Sequence, residues 1–192
     1  MSRPRRRFPF DDPERRKWLV PEGILRMAGL APGMTFADIG CGEGYFAIPG
    51  ARIVGPAGRV IAFDINPESV ERLKESAAIE DLTNVTALAG SAETTIPCEL
   101  CADIAFLGTV LHDFADPAAA LRNIRAILKP GGRLANLDWD KKPTEFGPPL
   151  DIRLDQAAAS RLILDAGFKI ESIAELPAGL YLITATPEPG SS

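Results

Sequence analysis

The sequence lacks any apolar run that approaches the ~20 residues of a transmembrane helix, so we expect no membrane insertion. It has only three cysteines, which cannot form a disulfide framework, and this fits a reducing compartment. It also lacks an excess of positive charge, and its net charge of −5 disfavours general affinity for nucleic acid. The arginine run within residues 3–7 is followed by acidic residues rather than by the apolar stretch of a secretory signal, so cytoplasmic is the expected localisation.

The scarcity of cysteine and histidine also leaves little for a metal site. Cys98 and Cys101 have the spacing of half a zinc site, but the other candidate ligands, Cys41 and His112, belong to other positions of the predicted fold. We therefore predict no bound metal. Cys98 and Cys101 are interpreted as two partly buried thiols.

What the sequence does have is a glycine-rich turn directly after an apolar run. Residues 34–39 are mainly apolar, Gly40, Gly42 and Gly44 follow, and residues 45–54 are compatible with a helix. This order of strand, glycine turn and helix presents backbone N–H groups to a ligand. The length of 192 residues suffices for one domain with a full core.

Two carboxylates flank this turn and indicate the charge of its ligand. A second apolar run, residues 59–63, ends in Asp64, where ribose hydroxyls need an acceptor. Asp38 precedes the first glycine, and together with Glu43 it would repel a pyrophosphate but attract a cation. The Gly-x-Gly-x-Gly spacing also differs from the Gly-x-Gly-x-x-Gly of dinucleotide-binding proteins, which disfavours a nicotinamide-dependent oxidoreductase.

Strands and helices alternate along most of the chain, which predicts an α/β fold with a doubly wound, Rossmann-like and mostly parallel sheet. The last two strands are joined by residues 174–178 only, too few for a parallel crossover, and must form an antiparallel hairpin at the C-terminus. The sheet is therefore expected to be seven-stranded. We predict its strands at residues 34–39, 59–63, 85–89, 103–107, 133–138, 168–173 and 179–185.

Together these features resemble the class I S-adenosylmethionine-dependent methyltransferases, whose ligand carries a sulfonium and an ammonium but no phosphate. The resemblance extends over residues 30–186. Within it, residues 111–132 contain Leu-His-Asp, Asp-Pro and Leu-Lys-Pro-Gly-Gly, which are similar to the ubiquinone/menaquinone-biosynthesis group. The resemblance implies S-adenosyl-L-methionine as cofactor and methyl transfer to a small-molecule acceptor by in-line displacement, but it does not specify the acceptor.

The resemblance assigns the cofactor to the loops at the carboxyl ends of the strands. Asp38 would receive the ammonium, Asp64 would accept both ribose hydroxyls, and Ile65 would contact the adenine. The family commonly has an aspartate after the third strand, where this chain has Ser91, so adenine recognition would use the Ala92 N–H and apolar contacts. The predicted cofactor-binding residues are Asp38, Gly40, Cys41, Gly42, Gly44, Asp64, Ile65, Ser91, Ala92, Leu107 and Gly108.

The candidate catalytic residues follow the fourth strand. His112 is the only histidine, and near neutral pH it could take a proton from a nucleophile, with Asp113 beside it. The alternative is that both residues only hold the loop. Residues 138–142 either line the acceptor pocket or, in the case of Lys141 and Lys142, are solvated surface.

We predict three segments. Residues 1–29 form an N-terminal arm with short helices, which is a candidate lid over the cofactor and includes Phe8 and Trp18. Residues 30–186 form the methyltransferase domain, and residues 187–192 form a flexible tail. Two other functions stay open, an RNA methyltransferase that uses the arginine arm and a non-catalytic S-adenosylmethionine-binding partner of another protein. A homo-oligomer is also compatible with the sequence.

Overall fold

A computed structural model describes residues 13–145 and 147–188 of the protein. Within these residues seven strands and six α-helices occur, together with short 3₁₀-helices at Leu111–Asp113 and Pro177–Gly179. No helix in these ranges is long and apolar enough to cross a membrane. The strands are β1 Thr35–Ile39, β2 Arg59–Asp64, β3 Val85–Ala89, β4 Ala102–Gly108, β5 Leu128–Trp139, β6 Phe168–Leu176 and β7 Leu180–Pro187. The helices are α1 Pro13–Arg16, α2 Pro21–Met27, α3 Ala47–Val54, α4 Pro67–Ile79, α5 Pro117–Ile127 and α6 Gln156–Asp165.

The seven strands form one sheet in the order β3-β2-β1-β4-β5-β7-β6. Neighbours from β3 to β5 are parallel, whereas β7 pairs antiparallel with both β5 and β6. This arrangement confirms the predicted α/β sheet and its C-terminal hairpin. The hairpin connection is shorter than expected, because β6 continues to Leu176. β7 ends at Pro187, one residue into the predicted tail, while residues 189–192 of that tail lie outside the described part of the chain.

Three of the helices begin after a polar residue whose side chain accepts a backbone N–H of the first turn. Such caps satisfy N–H groups that have no partner inside the helix. α4 and α5 also have proline at the first helical position, where its missing N–H is not needed. The caps are Asn66 of α4 (from Glu68 N, 3.0 Å), Asp116 of α5 (from Ala119 N, 2.9 Å) and Asp155 of α6 (from Ala158 N, 2.7 Å).

The helix that follows the glycine turn begins at Ala47, two residues later than predicted. Pro49 explains this boundary in part, since it then lies in the first turn, where a missing N–H removes no intrahelical hydrogen bond. Tyr45 and Phe46 consequently belong to the turn. Their rings meet edge to face at a centroid distance of 5.2 Å.

Helices cover both faces of the sheet, so successive residues of a strand alternate between two cores. In β1, Phe36 lies in the core shared with α2, α3 and α4, whereas Ala37 lies in the core shared with α5 and α6. The Phe106 ring joins the first core, 6.0 Å from Phe36 and 4.7 Å from Phe46 between ring centroids. Because both faces of β1 are buried, its register is fixed, and the glycine turn is held at the carboxyl edge of the sheet.

We predict that Asp155→Ala lowers the free energy of unfolding by about 1 kcal/mol, because α6 loses its N-terminal cap. Asp151→Ala is the matched control, since Asp151 is exposed and lies outside the helix. Urea denaturation followed by circular dichroism measures both variants. Equal effects of the two substitutions would show that the cap does not stabilise α6.

Candidate cofactor and acceptor site

The glycine turn lies between the carboxyl ends of β1 and β2 and is bonded to β2 through its backbone. The N–H groups of Gly40 and Cys41 both donate to the Phe63 carbonyl, at 2.7 and 3.2 Å. Gly40 has φ of +75°, and a Cβ added to it would lie 2.6 Å from the Val110 side chain. Gly42 also has a positive φ, but a Cβ there would meet nothing within 4 Å. The turn therefore packs closely against β4's loop while leaving space beside Gly42.

Asp64 stands at the end of β2 with its carboxylate held by two backbone N–H groups. Gly42 donates to Oδ2 and Asn66 donates to Oδ1, each at 2.8 Å. Each oxygen keeps a further lone pair, so the carboxylate is oriented and still able to accept hydrogen bonds from a ligand. Ile65 follows with 71% of its surface exposed, which leaves an apolar side chain beside the carboxylate.

Asp38 is 1% exposed, and neither of its carboxylate oxygens has a hydrogen-bond partner among the described residues. Burial, and secondarily the charge of Asp64, raises the pKa of Asp38 to about 8. The Ala47 N–H lies near the carboxylate without reaching hydrogen-bond geometry, and together with the charge of Arg15 it opposes this shift without cancelling it. A cation placed here would remove the penalty that a buried carboxylate without a partner carries. Glu43 does not share this role, because it pairs with Arg72.

Cys41 lies in the same turn, and its side chain is buried. Burial, followed by the charges of Asp38 and Asp64, raises the pKa of the Cys41 thiol far above its usual range. The thiol therefore stays protonated and is suited neither to nucleophilic attack nor to binding a metal. If Cys41 contacts the cofactor as predicted, it does so through its backbone or through van der Waals contact of its side chain.

The turn after β3 makes hydrogen bonds within itself and to the start and body of α5. The Ser91 hydroxyl accepts the Glu93 N–H at 3.3 Å, and the Glu93 carboxylate accepts the Asp116 N–H at 2.5 Å. The Ala92 carbonyl accepts the Asn123 side-chain amide at 2.8 Å. The hydroxyl of Ser91 is thus engaged within its own loop. Glu93 in the turn and Asn123 in α5 hold this turn in place, and neither residue was predicted from the sequence.

Leu107 and Gly108 end β4 next to the glycine turn. Leu107 is fully buried, and a Cβ at Gly108 would lie 2.7 Å from the Phe46 ring, so only glycine fits there without movement. Thr109 follows with φ of +60° and donates its N–H to the Leu137 carbonyl at 2.7 Å. This hydrogen bond holds the loop that carries His112 next to the end of β5.

His112 is paired with Asp138, a residue at the end of β5. Imidazole Nδ1 lies 2.6 Å from Asp138 Oδ1, and the side chains are 4% and 0% exposed. The Asp138 carboxylate also accepts the backbone N–H groups of His112 (3.3 Å) and Trp139 (2.8 Å). Imidazole Nε2 lies 3.7 Å from Asp113 Oδ1. The sequence made Asp138 a candidate for lining the acceptor pocket. Its pairing with His112 was not predicted, although His112 follows β4 and Asp138 lies near the end of the neighbouring β5.

Residues 15–19 of the N-terminal segment lie against this edge of the sheet. The Tyr45 hydroxyl donates to the Leu19 carbonyl, and the Arg15 guanidinium lies 3.7 Å from the centroid of the Tyr45 ring. Trp18 contacts Trp139 at a centroid distance of 5.4 Å. These contacts hold residues 15–19 against the glycine turn and the end of β5. Phe8 and the arginine run, which belong to the same predicted lid, lie outside the described residues.

Arg153 organises the loop between β5 and α6. It is 4% exposed and donates to the Pro148 carbonyl, the Lys142 carbonyl and the Thr144 hydroxyl, each at 2.8 Å. Burial lowers the pKa of Arg153. Its guanidinium also lies 5.2 Å from the Trp139 ring. The sequence gave no local signal for this role.

The two lysines of the same loop lie at the surface. Lys141 and Lys142 are both exposed. The Lys142 ammonium lies 2.6 Å from Asp140 Oδ2, and this pairing raises the pKa of Lys142. The interpretation of these lysines as solvated surface therefore fits the structure better than a place inside a pocket.

Cys98 and Cys101 form a disulfide, with their Cα atoms 6.1 Å apart. The interpretation of Cys98 and Cys101 as two thiols was therefore wrong. Their separation of three residues, just before β4, brings the two side chains together. Within the described ranges no group of three or more His, Cys, Asp or Glu side chains could hold a metal ion.

A groove of about 710 Å³ lies away from the glycine turn, at the amino ends of β4 and β5. It is lined by residues such as Leu100, Arg122, Lys129 and Glu188. In open α/β sheets ligands bind outside the carboxyl ends of the strands. We therefore assign the site from the glycine turn and its carboxylates rather than from this groove.

Comparison with known proteins identifies the family. A family model described as a methyltransferase domain matches residues 30–177. The chain belongs to this methyltransferase family. A solved S-adenosylmethionine-dependent methyltransferase from Aquifex aeolicus superposes with a TM-score of 0.87 at 28% identity, covering 93% of this chain and 98% of that one. The methyltransferase therefore uses S-adenosylmethionine as its cofactor, as the sequence predicted.

Two curated relatives act on different acceptors. An arsenite methyltransferase from Halobacterium salinarum is 30% identical over 111 residues, which are 58% of this chain and 28% of that protein. The ubiquinone/menaquinone biosynthesis C-methyltransferase UbiE from Vibrio vulnificus is 34% identical over 118 residues, which are 59% of this chain and 44% of that protein. The methyltransferase thus spans less than half the length of either relative, and the relatives do not determine its acceptor.

The raised pKa of Asp38 predicts how stability depends on pH. A carboxyl group whose folded-state pKa lies above its model value of 3.8 binds its proton more tightly when folded, so its contribution to stability is lost as the pH rises from about 4 through about 8. Asp38→Asn removes this titration. We expect the variant to become more stable than the wild type as the pH rises across that window.

Urea denaturation at intervals from pH 5 to pH 9 tests this expectation. The difference in unfolding free energy between Asp38→Asn and the wild type should grow with pH and level off above the pKa of Asp38. A difference that stays constant over the whole range would contradict a raised pKa at this position.

Proposed function

We propose that the methyltransferase transfers the methyl group of S-adenosylmethionine to a small-molecule acceptor by in-line displacement. The observation that carries the proposal is the buried Asp38 carboxylate, which has no hydrogen-bond partner among the described residues beside the glycine turn. The ammonium of the cofactor would supply that partner. Because the sulfonium is already an activated leaving group, the protein mainly has to align the acceptor and exclude water, and alignment alone can lower a barrier by ~7–11 kcal/mol.

In this proposal the cofactor lies across the carboxyl ends of β1 to β4. Asp38 binds the ammonium, Asp64 accepts the ribose hydroxyls and Ile65 contacts the adenine. The exposure of Ile65 and the two oriented oxygens of Asp64 support these roles. The carbonyls of Leu107 and Gly108 face the methionine end. Adenine recognition relies on the Ala92 N–H and apolar contacts, since the hydroxyl of Ser91 is bonded within its own turn.

Two segments next to the site favour a small acceptor over a macromolecule. Residues 15–19 contact Tyr45 and Trp139, and Arg153 holds residues 140–144 and 148–153 of the neighbouring loop together. We propose that the first segment is the lid and that both exclude water from the reacting atoms. An RNA substrate would instead require the arginine arm, which lies outside the described residues.

We predict that S-adenosylmethionine and S-adenosylhomocysteine raise the melting temperature and that NAD does not, because only a ligand that binds the native state stabilises it. A ligand at 100 times its Kd stabilises by about 2.7 kcal/mol. Asp38→Asn should reduce the shift that S-adenosylmethionine produces. Asp103→Asn is the control, since Asp103 pairs with Lys129 at the opposite end of β4. Differential scanning fluorimetry measures each combination.

A melting temperature that rises with NAD but with neither S-adenosylmethionine nor S-adenosylhomocysteine would contradict the proposed cofactor site. Release of S-adenosylhomocysteine in the presence of a panel of small-molecule acceptors then separates an enzyme from a non-catalytic binding protein. Methylation of RNA but of no small molecule would reject the proposed acceptor class.

A further inference from the structure

We propose that Cys98 and Cys101 form a reversible thiol–disulfide exchange site, and that the oxidation state of this pair sets the affinity of the cofactor site. The inference rests on the proposed function, since it needs the adenine to lie at the turn of Ala92. The two cysteines form a disulfide directly before β4. The low number of cysteines predicts a reducing compartment, where a disulfide is more often catalytic or redox-sensing than structural.

The pair lies where a small thiol compound can approach it. Both cysteines are half-buried, and the two residues between them, Glu99 and Leu100, are exposed. Leu100 also lines the groove of about 710 Å³ at the amino ends of β4 and β5, so this segment borders open space. The third cysteine differs, because Cys41 is buried and its thiol stays protonated. Thiol reagents should therefore distinguish the pair from Cys41.

The backbone between the two cysteines is held in an uncommon conformation. Leu100 has φ of +45°, in the left-handed region that few residues other than glycine adopt. Such a conformation persists only where the surrounding structure enforces it. The disulfide closes the chain around Leu100, and the N–H groups of Leu100 and Cys101 donate to the last two carbonyls of α5, at 3.0 and 2.8 Å. Reduction opens this closed loop and allows Leu100 to leave the left-handed region.

The disulfide is linked to the turn after β3 by residues 94–101. The N–H groups of Thr94 and Thr95 both donate to the Ser91 carbonyl, at 3.1 and 2.9 Å. Ile96 and both cysteines pack against the core that contains Ala92. A change in the order of residues 94–101 is therefore transmitted directly to the turn of Ser91 and Ala92.

The same segment lies next to the residue that holds the glycine turn. Phe63 accepts the N–H groups of Gly40 and Cys41 on its carbonyl oxygen. Ile96 lines a small cavity together with Phe63 and Ala92. Atoms beside a void lack packing partners on that side, so Ile96 can shift when the disulfide opens. Such a shift changes the contacts of both Phe63 and Ala92.

The exchange uses a thiol compound as the reductant. Its thiolate attacks one sulfur of the disulfide, forms a mixed disulfide and displaces the other cysteine as a thiolate, which takes up a proton. A second thiolate attacks the sulfur of the reagent, the remaining cysteine leaves and is protonated, and the reagent ends as a disulfide. Two electrons and two protons thus pass to the cysteine pair. Oxidation by a disulfide compound is the reverse reaction.

The oxidised protein should bind the cofactor more tightly than the reduced protein. In the oxidised form residues 94–101 are already ordered, so binding of the adenine orders less of the chain. Coupling between two sites typically changes affinity by roughly 5–150-fold. We therefore expect reduction to weaken the binding of S-adenosylhomocysteine by about 5-fold or more. By linkage, S-adenosylhomocysteine must make the disulfide harder to reduce by the same factor.

Thiol counting tests the exchange site without the cofactor. After dithiothreitol and then iodoacetamide are added to the native wild type, mass spectrometry should find Cys98 and Cys101 alkylated and Cys41 unmodified. Protein treated with oxidised dithiothreitol should carry no label. Free Cys98 and Cys101 thiols in the oxidised protein would overturn the proposal. Loss of the native circular dichroism on reduction would also overturn it, because the disulfide would then be only structural.

Calorimetric titration with S-adenosylhomocysteine then compares the oxidised and reduced wild type. Reduction should raise the Kd by about 5-fold or more. The control is the double variant Cys98→Ser/Cys101→Ser, whose Kd should equal that of the reduced wild type and should not respond to dithiothreitol. Equal Kd values for the two forms of the wild type, or tighter binding by the reduced form, would overturn the proposal.

A redox buffer of reduced and oxidised dithiothreitol measures the same coupling from the side of the disulfide. Saturating S-adenosylhomocysteine should raise the ratio of reduced to oxidised reagent at which half of the protein is reduced, by the factor found in the titrations. An unchanged ratio would contradict the coupling. Failure of the oxidised wild type to bind S-adenosylhomocysteine at all would count against the proposed function instead.

Discussion

The site depends on the burial of Asp38. Its carboxylate is kept out of water and has no hydrogen-bond partner among the described residues. Burial disfavours the charged form of Asp38, and the nearby Asp64 adds repulsion, so the pKa is raised to about 8. The buried carboxyl group therefore lowers the free energy of unfolding at neutral pH. The same dry surroundings strengthen the attraction to any cation that replaces the missing partner. In the proposed function, the ammonium group of the cofactor would be that cation.

The order of the strands brings the remaining groups to the same edge. Asp38 lies near the end of β1, the loop of His112 follows β4, and Asp138 lies near the end of β5. β1 and β5 are the two neighbours of β4, so residues a hundred positions apart meet at one edge of the sheet. In the proposed function, the methyl donor would lie at β1 and β2 and the acceptor at β4 and β5. Short hydrogen bonds between the loops, such as Thr109 N–H to the Leu137 carbonyl, hold the two sides in a fixed relation.

Much of the fold could be predicted because its signals are local. Glycine spacing marks the turn, and Asn66 and Asp155 mark helix starts by their own capping chemistry. The pairing of His112 with Asp138 could not be predicted in this way, since it joins residues 26 positions apart through sheet topology. The role of Arg153 could not be predicted either, because it donates to backbone carbonyls, which every residue type has. The disulfide between Cys98 and Cys101 was not predicted, because the low number of cysteines indicated a reducing compartment in which both would stay thiols.

Calorimetric titration with S-adenosylmethionine tests the central claim most directly. If the ammonium binds at Asp38, binding must ionise a carboxyl group that is mostly protonated at pH 7, so about one proton is released per site. Titrations in buffers of different ionisation enthalpy measure that release. The wild type should release more protons than Asp38→Asn by close to this amount. Equal proton release by the two proteins, with S-adenosylmethionine bound equally well, would contradict the assignment of Asp38 as the ammonium site.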